Sequence, residues 1–229
     1  MAATLVLSCA LAWDGAAFDP GDLERLRDTG QCQGCDLSGL RLARLTDDLE
    51  VAPTRRLVVR SLAGADLRGA DLTGVMLGRV DLKHADLSGA NLSGIDMRRA
   101  DLRGARLVGA DLSGANLTTA RLDGVDLSEA NCRKTRLTGS RLTDATLVGT
   151  DLTLANLIRA SFADSDLTGA ILNRAFLGDT DLRNARLVGT RLHGADLRSV
   201  VGLEQVQLDR ACGDETTRLP EFFRVRPCE

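Results

Sequence analysis

Ala65-Asp66-Leu67-Arg68-Gly69, Ala90-Asn91-Leu92-Ser93-Gly94 and Ala110-Asp111-Leu112-Ser113-Gly114 are three copies of one five-residue unit. A leucine returns at every fifth residue from Leu62 to Leu197, and of these 28 positions only Met97, Cys132 and Phe162 differ, each of them apolar. Two residues before the leucine stands a small or β-branched residue, as at Ala70, Val75, Ile95, Thr135, Ser140 and Ala195. The residue between them is usually polar, most often Asp or Asn, and the residue two after the leucine is often Gly.

A period of five fits neither a helix nor a simple strand, so the pattern points to a repeat architecture. If the chain turns a corner every five residues, the leucine and the small residue before it both point inward, and a narrow core alternates large and small side chains. Glycine after the leucine supplies the positive φ that a tight corner asks for. Each buried leucine is worth roughly 1.5 to 3 kcal/mol against exposure. No coil could bury its leucines alone, so stability comes from stacked neighbours.

On these residues the chain resembles the pentapeptide repeat proteins. The resemblance covers Ser61 to Arg198 in unbroken register. It implies an all-β solenoid, a right-handed quadrilateral parallel β-helix with one pentapeptide per face and 20 residues per coil, closed by short helical caps. It implies little about function, because a fold does not fix a site. Residues 20 apart are then expected to stack, with Arg106 between Asp86 and Asp126.

Outward from the shaft, the apolar run Ala2 to Trp13 suits the core of a secretory leader, with Ala10-Leu11-Ala12 or Gly15-Ala16-Ala17 as cleavage sites. Against this, no Lys or Arg precedes Arg25, and an apolar flap over the first coil is the other reading. Residues 1–17 are read as leader and 18–34 as a helical cap, with Asp19 as N-cap and Pro20 in the first turn. Residues 35–200 form the repeat, irregular over 46–56, and 201–229 a second cap. There Val200-Val201-Gly202 is expected to break the register, followed by a short helix over Leu203 to Ala211 and an extended tail.

Six cysteines occur. Cys132 falls at a core position, Cys9 in the leader, and two pairs lie at opposite ends: Cys32 with Cys35, and Cys212 with Cys228. The seven coils between them, rising about 4.8 Å each, separate the pairs by ~30 to 35 Å. Within one molecule each pair can therefore bond only to itself, and a four-cysteine zinc site is excluded. Two such staples suit an oxidising compartment, whereas a redox role for Cys32 and Cys35 would need a βαβ setting that the sequence does not show.

For catalysis the inventory is thin. His84 and His193 are the only histidines, and more than five coils of 20 residues separate them. The aspartates recur because the repeat places them, so their pairs carry no acid–base information, and no phosphate loop or nucleophile elbow occurs. No enzyme activity, metal or cofactor is expected.

Net charge is −3, tyrosine is absent and tryptophan occurs once, so base-stacking platforms are missing. From Arg60 to Arg198 the count is 19 Lys/Arg against 17 Asp/Glu, a shaft with no strong field towards nucleic acid or membrane. The expected role is a non-catalytic structural or protein-interaction rod outside the cytoplasm, periplasmic or secreted, monomeric, with an unidentified protein partner and no membrane span. The alternative that the resemblance suggests is a cytosolic regulator of a DNA topoisomerase, such as gyrase, acting by DNA mimicry. Mimicry needs an acidic shaft, yet Arg106, Arg121, Arg136, Arg141, Arg186 and Arg191 occupy the Asp/Asn position. Leu154, Ile158, Ile171 and Phe176 stand at outward positions that elsewhere hold mostly Asp, Asn, Thr, Ser, Gly or Arg, and form the candidate partner patch, flanked by Arg159 and Arg174, with packing on one another along the ladder or beneath the C-terminal tail as the other reading.

Overall fold

Each described pentapeptide from Ser61 onward folds as one bridging residue, one large inward residue, a two-residue corner and one small inward residue. The computed structural model describes residues 20–29, 61–73 and 76–228. In the middle of the shaft, Leu112 N–H donates to the Asn131 carbonyl at 2.8 Å, and Asn131 N–H donates to the Ala110 carbonyl at 2.9 Å. Gly114 N–H donates to Arg133 at 2.8 Å, and the corner closes with Ala115 N–H on the Leu112 carbonyl at 2.9 Å.

Parallel bridges join residues 20 apart in every described column, from Ser61 with Asp81 to Asp181 with Val201. Four such columns per turn make a four-sided solenoid of seven coils between residues 61 and 200. Arg106 bridges both Asp86 and Asp126. The faces are single-residue bridges rather than extended strands, because two of every five residues are spent on the corner.

The inward leucines, with Met97, Cys132 and Phe162, are at most 1% exposed, and the small residues beside them are buried with them. Several of the small positions hold hydroxyls, and these find carbonyls. Thr135, Thr150, Thr180 and Thr190 each donate to a carbonyl of the preceding coil at 2.7–2.9 Å, whereas Ser140 and Ser165 donate within their own corner at 2.6 Å. A bonded hydroxyl avoids the cost of an unpaired buried donor and ties adjacent coils together.

The corners depart from the glycine rule. Thirteen glycines in the shaft take positive φ at the third turn position, but so do thirteen other residues, among them Arg79, His84, Glu129 and Leu154. A left-handed non-glycine residue costs on the order of 1 kcal/mol. The ladder on both sides fixes the corner whichever residue occupies it.

At the C-terminal end the register continues past the expected break, since Val201 still bridges Asp181 and its N–H donates to the Thr180 carbonyl at 2.8 Å. The slip comes later, as Arg191 pairs with Cys212 and Asp196 with Arg218. Residues 201–218 thus build an eighth, irregular coil, not merely a cap. The helix is also shorter than the sequence suggests. Helix α2 spans only Gln205–Leu208, because Leu208 and Ala211 return to fully buried core positions and Cys212 N–H rejoins the ladder on Thr190. While the backbone is out of the ladder, the Gln207 amide donates to the Leu182 and Ala185 carbonyls, both at 2.8 Å.

Strand β1 (Cys212–Gly213) pairs in parallel with β2 (Arg226–Pro227), and Cys212 and Cys228 are joined by a disulfide with Cα atoms 4.8 Å apart. The tail is held further by the Gln205 amide, which exchanges two hydrogen bonds with the Arg224 backbone. Helix α1 spans Pro20–Thr29. Cys9, Cys32, Cys35, the capping role of Asp19, the leader and the irregular 46–56 segment lie outside the described residues.

Candidate functional site

The outward surface is built by the bridging residue and the corner. Where the bridging residue is Asp or Asn, its side-chain oxygen accepts the backbone N–H two residues on, as from Ser113 to Asp111 at 2.9 Å. This local bond explains why Asp and Asn recur there. Where the residue two on is arginine, it clamps the same carboxylate. Arg68, Arg98, Arg103, Arg183 and Arg198 bind Asp66, Asp96, Asp101, Asp181 and Asp196 through Nε and Nη2.

These clamps hold all five carboxyls below the usual carboxylate range, and Asp196 falls to about 2. The arginine hydrogen bond is the main cause, with partial burial opposing it. Pairing between coils is sparser than simple stacking suggests. Arg133 reaches Asp151 at 2.9 Å and Arg121 reaches Asp101 at 3.7 Å, but Arg106 makes no ion pair within 4.0 Å with the two aspartates it bridges. Its side chain is left exposed, which costs less than holding a long side chain in place.

The histidines sit far apart, His84 exposed at a corner and His193 half-buried with its ring Nδ1 3.1 Å from Asn173 Oδ1. Among the described residues no group of three or more His, Cys, Asp or Glu is placed to hold a metal, and no helix is long and apolar enough to cross a membrane. Burial pushes the Cys132 thiol up to about 12, with Asp151 and Asp111 adding to it, so the group stays a neutral core side chain.

The apolar patch is partly assembled. Leu154, Ile158 and Phe176 line one open depression, with Phe176 56% exposed and the other two half-buried. Ile171 is not part of that lining, since it bridges Asp151 and Arg191 on the neighbouring face. Gly178 and Gly194 also line it, and Arg174, Arg198 and Arg218 with Asp196 form the rim. The tail does not cover the patch. Phe223 packs on the end of the core, Phe222 is 97% exposed, and only Thr216 and Arg218 from this region reach the depression. Of the two arginines that the sequence sets beside the patch, Arg174 lies on the rim and Arg159 does not line the depression, while Arg218 arrives only through the two-residue slip of the last coil.

The family model for pentapeptide repeats matches the chain in eight copies, over residues 61–89, 81–118, 120–159 and 160–198. The chain belongs to the pentapeptide repeat family. Comparison with curated proteins returns no match. Among solved structures, this pentapeptide repeat protein is similar to HetL, a pentapeptide repeat protein involved in heterocyst differentiation regulation from the cyanobacterium Nostoc sp. strain PCC 7120. Identity is 27% over 89% of this chain and 92% of HetL, with a TM-score of 0.31. It is also similar to a trypsin-treated form of QnrB1, a plasmid-mediated fluoroquinolone resistance protein, at 19% identity over 69% of this chain and 79% of the other, TM-score 0.46. A third is a pentapeptide repeat protein of the Arabidopsis thaliana thylakoid lumen, at 35% identity over 52% and 70%, TM-score 0.20.

Proposed function

We propose that this pentapeptide repeat protein is a non-catalytic interaction rod that works outside the cytoplasm, wound in the right-handed sense usual for its family. The observation that carries the interaction role is the cluster at Leu154, Ile158 and Phe176, where three outward apolar side chains share one depression with a charged rim. Such a patch on a water-facing surface is characteristic of a binding site. The extracytoplasmic address draws support from the Cys212–Cys228 disulfide and from the leader-like run Ala2 to Trp13. DNA mimicry is disfavoured by the arginines interspersed in the aspartate columns, which leave no continuous acidic face.

Two measurements test this. Ile158→Ser with Phe176→Ser is expected to melt like the wild type yet lose any co-purifying protein; a folded variant that keeps its partner overturns the site. Fractionation of the producing cells with mapping of the mature N-terminus is expected to give a processed, exported chain. An unprocessed cytosolic product overturns the address and returns topoisomerase regulation to consideration.

A further inference from the structure

The C-terminal tail carries an unusual residue. Pro220, Glu221, Phe222 and Phe223 form a turn closed by the Phe223 N–H on the Pro220 carbonyl at 3.3 Å. Phe222 occupies its third position with φ 72° and is 97% exposed. A bulky aromatic side chain in the left-handed region is strained, and near-total exposure gains it no burial. Beside it Glu221 is exposed and in no ion pair among the described residues. The turn thus presents an apolar knob next to a carboxylate.

The depression around Phe176 has the opposite character. It is lined by Ile158, Leu154, Gly178 and Gly194, the last with the Arg174 and Thr216 side chains beside it, and three arginines stand on its rim against one aspartate. That aspartate, Asp196, is already held by Arg198, with Arg218 3.9 Å away. Arg174 forms no ion pair within 4.0 Å among the described residues. The rim is therefore net positive with one guanidinium unengaged, and the hollow suits an apolar side chain flanked by a carboxylate.

Knob and hollow are joined by a short stretch of chain, since Arg218 lines the depression and Phe222 follows four residues later. An isologous contact needs such self-complementary elements on one patch, so that each protomer fills the other. We propose that the depression is occupied by the Glu221–Phe222 turn of a second copy of this chain, giving a two-fold dimer with Glu221 facing Arg174 across the contact. Phe222 does not fill the hollow of its own chain, as its exposure shows. The proposal rests on the reading of this depression as an interaction surface and names its occupant.

The test is sedimentation equilibrium of the purified, disulfide-bonded chain over about 1 to 500 µM, the range in which a small interface dissociates. The wild type is expected to pass from monomer to dimer. Phe222→Ser and Phe176→Ser are each expected to weaken the dimer by about tenfold or more, with unchanged melting. Glu221→Arg and Arg174→Glu should each weaken it, and the two combined should restore it. A wild type monomeric throughout, a Phe222→Ser chain that dimerises like the wild type, or charge variants whose combination does not recover each overturns the proposal. If the wild type stays monomeric but Ile158→Ser with Phe176→Ser still loses a co-purifying protein, self-association fails while the interaction rod stands.

Discussion

Between Ser61 and Val201 every described outward column advances by 20 residues, whereas in the last coil the advance grows to 21 at Cys212 and 22 at Arg218. The regular coils need no covalent tie, because each is covered by the next and repeats the same four-sided ladder. The last coil has a neighbour on one side only. It compensates with devices absent from the shaft: the single-turn helix α2, the Gln207 amide on orphaned carbonyls, the parallel strand β2 and the disulfide. Repetition stabilises the middle of a solenoid, and its end requires particular residues.

The largest expected effect breaks the shaft itself. Leu112 is fully buried, so Leu112→Asp places an unpaired charge in the core and should cost roughly 4 kcal/mol or more, unfolding the central coils. Ser113→Asp, one residue along and facing out, should change stability by less than about 1 kcal/mol. Thermal melts of the two variants check this, and equal melting temperatures refute the inward and outward assignment.

Next comes the closing coil. Replacing Cys212 and Cys228 with serine opens a loop with a sequence separation of 16, a loss of about 3 kcal/mol. The loss should be local. Hydrogen exchange is expected to accelerate over residues 203–228 while Leu102 to Leu152 keep their protection, and uniform loss along the rod would show that the two regions unfold as one.

Corners sharpen the comparison further. A Cβ on Gly202, where the last coil begins, would lie 2.1 Å from Arg183 Cγ and 3.0 Å from Arg183 Cα, so Gly202→Ala should cost about 2 kcal/mol or more. A Cβ on Gly114 meets nothing within 4 Å, which leaves only the strain of its positive φ, about 1 kcal/mol for Gly114→Ala. Chemical denaturation of both variants measures the difference.

The smallest effect is electrostatic. The arginine-clamped carboxyls of Asp66, Asp96, Asp101, Asp181 and Asp196 lie below their unfolded values. A depressed carboxyl stabilises the fold fully above its unfolded pKa of roughly 4, and the gain is lost as pH falls through the folded value. For Asp196 that window runs down to about pH 2. Arg198→Gln should therefore flatten the fall in melting temperature below pH 4, and an unchanged slope would show that the clamp adds nothing.

The parts legible in the sequence are those where the chemical period and the structural period coincide. Leu62 to Leu197 repeat every five residues because each is one face, and Arg106 stacks between Asp86 and Asp126 because four faces make a turn. Glutamate, arginine and leucine at positive-φ corners were not legible, since there the ladder overrides local preference. Nor was the last coil, where one-residue slips carry no composition of their own. The arginine clamps are not legible either, because they run along one pentapeptide, from Asp66 to Arg68, whereas the 20-residue period aligns charges only between coils.

The ladder also makes the molecule a ruler with a dial. Adding or removing 20 residues in the shaft would lengthen or shorten it by one strand spacing, about 4.8 Å, and leave every downstream side chain facing as before. Adding five would preserve the core pattern equally well, yet turn everything beyond the insertion by a quarter revolution. Phe176, which now stacks in the column of Asp96 and Asn116, would then look out from a different side of the rod than Asp96. Evolution can therefore re-aim a surface on this scaffold without disturbing a single buried leucine.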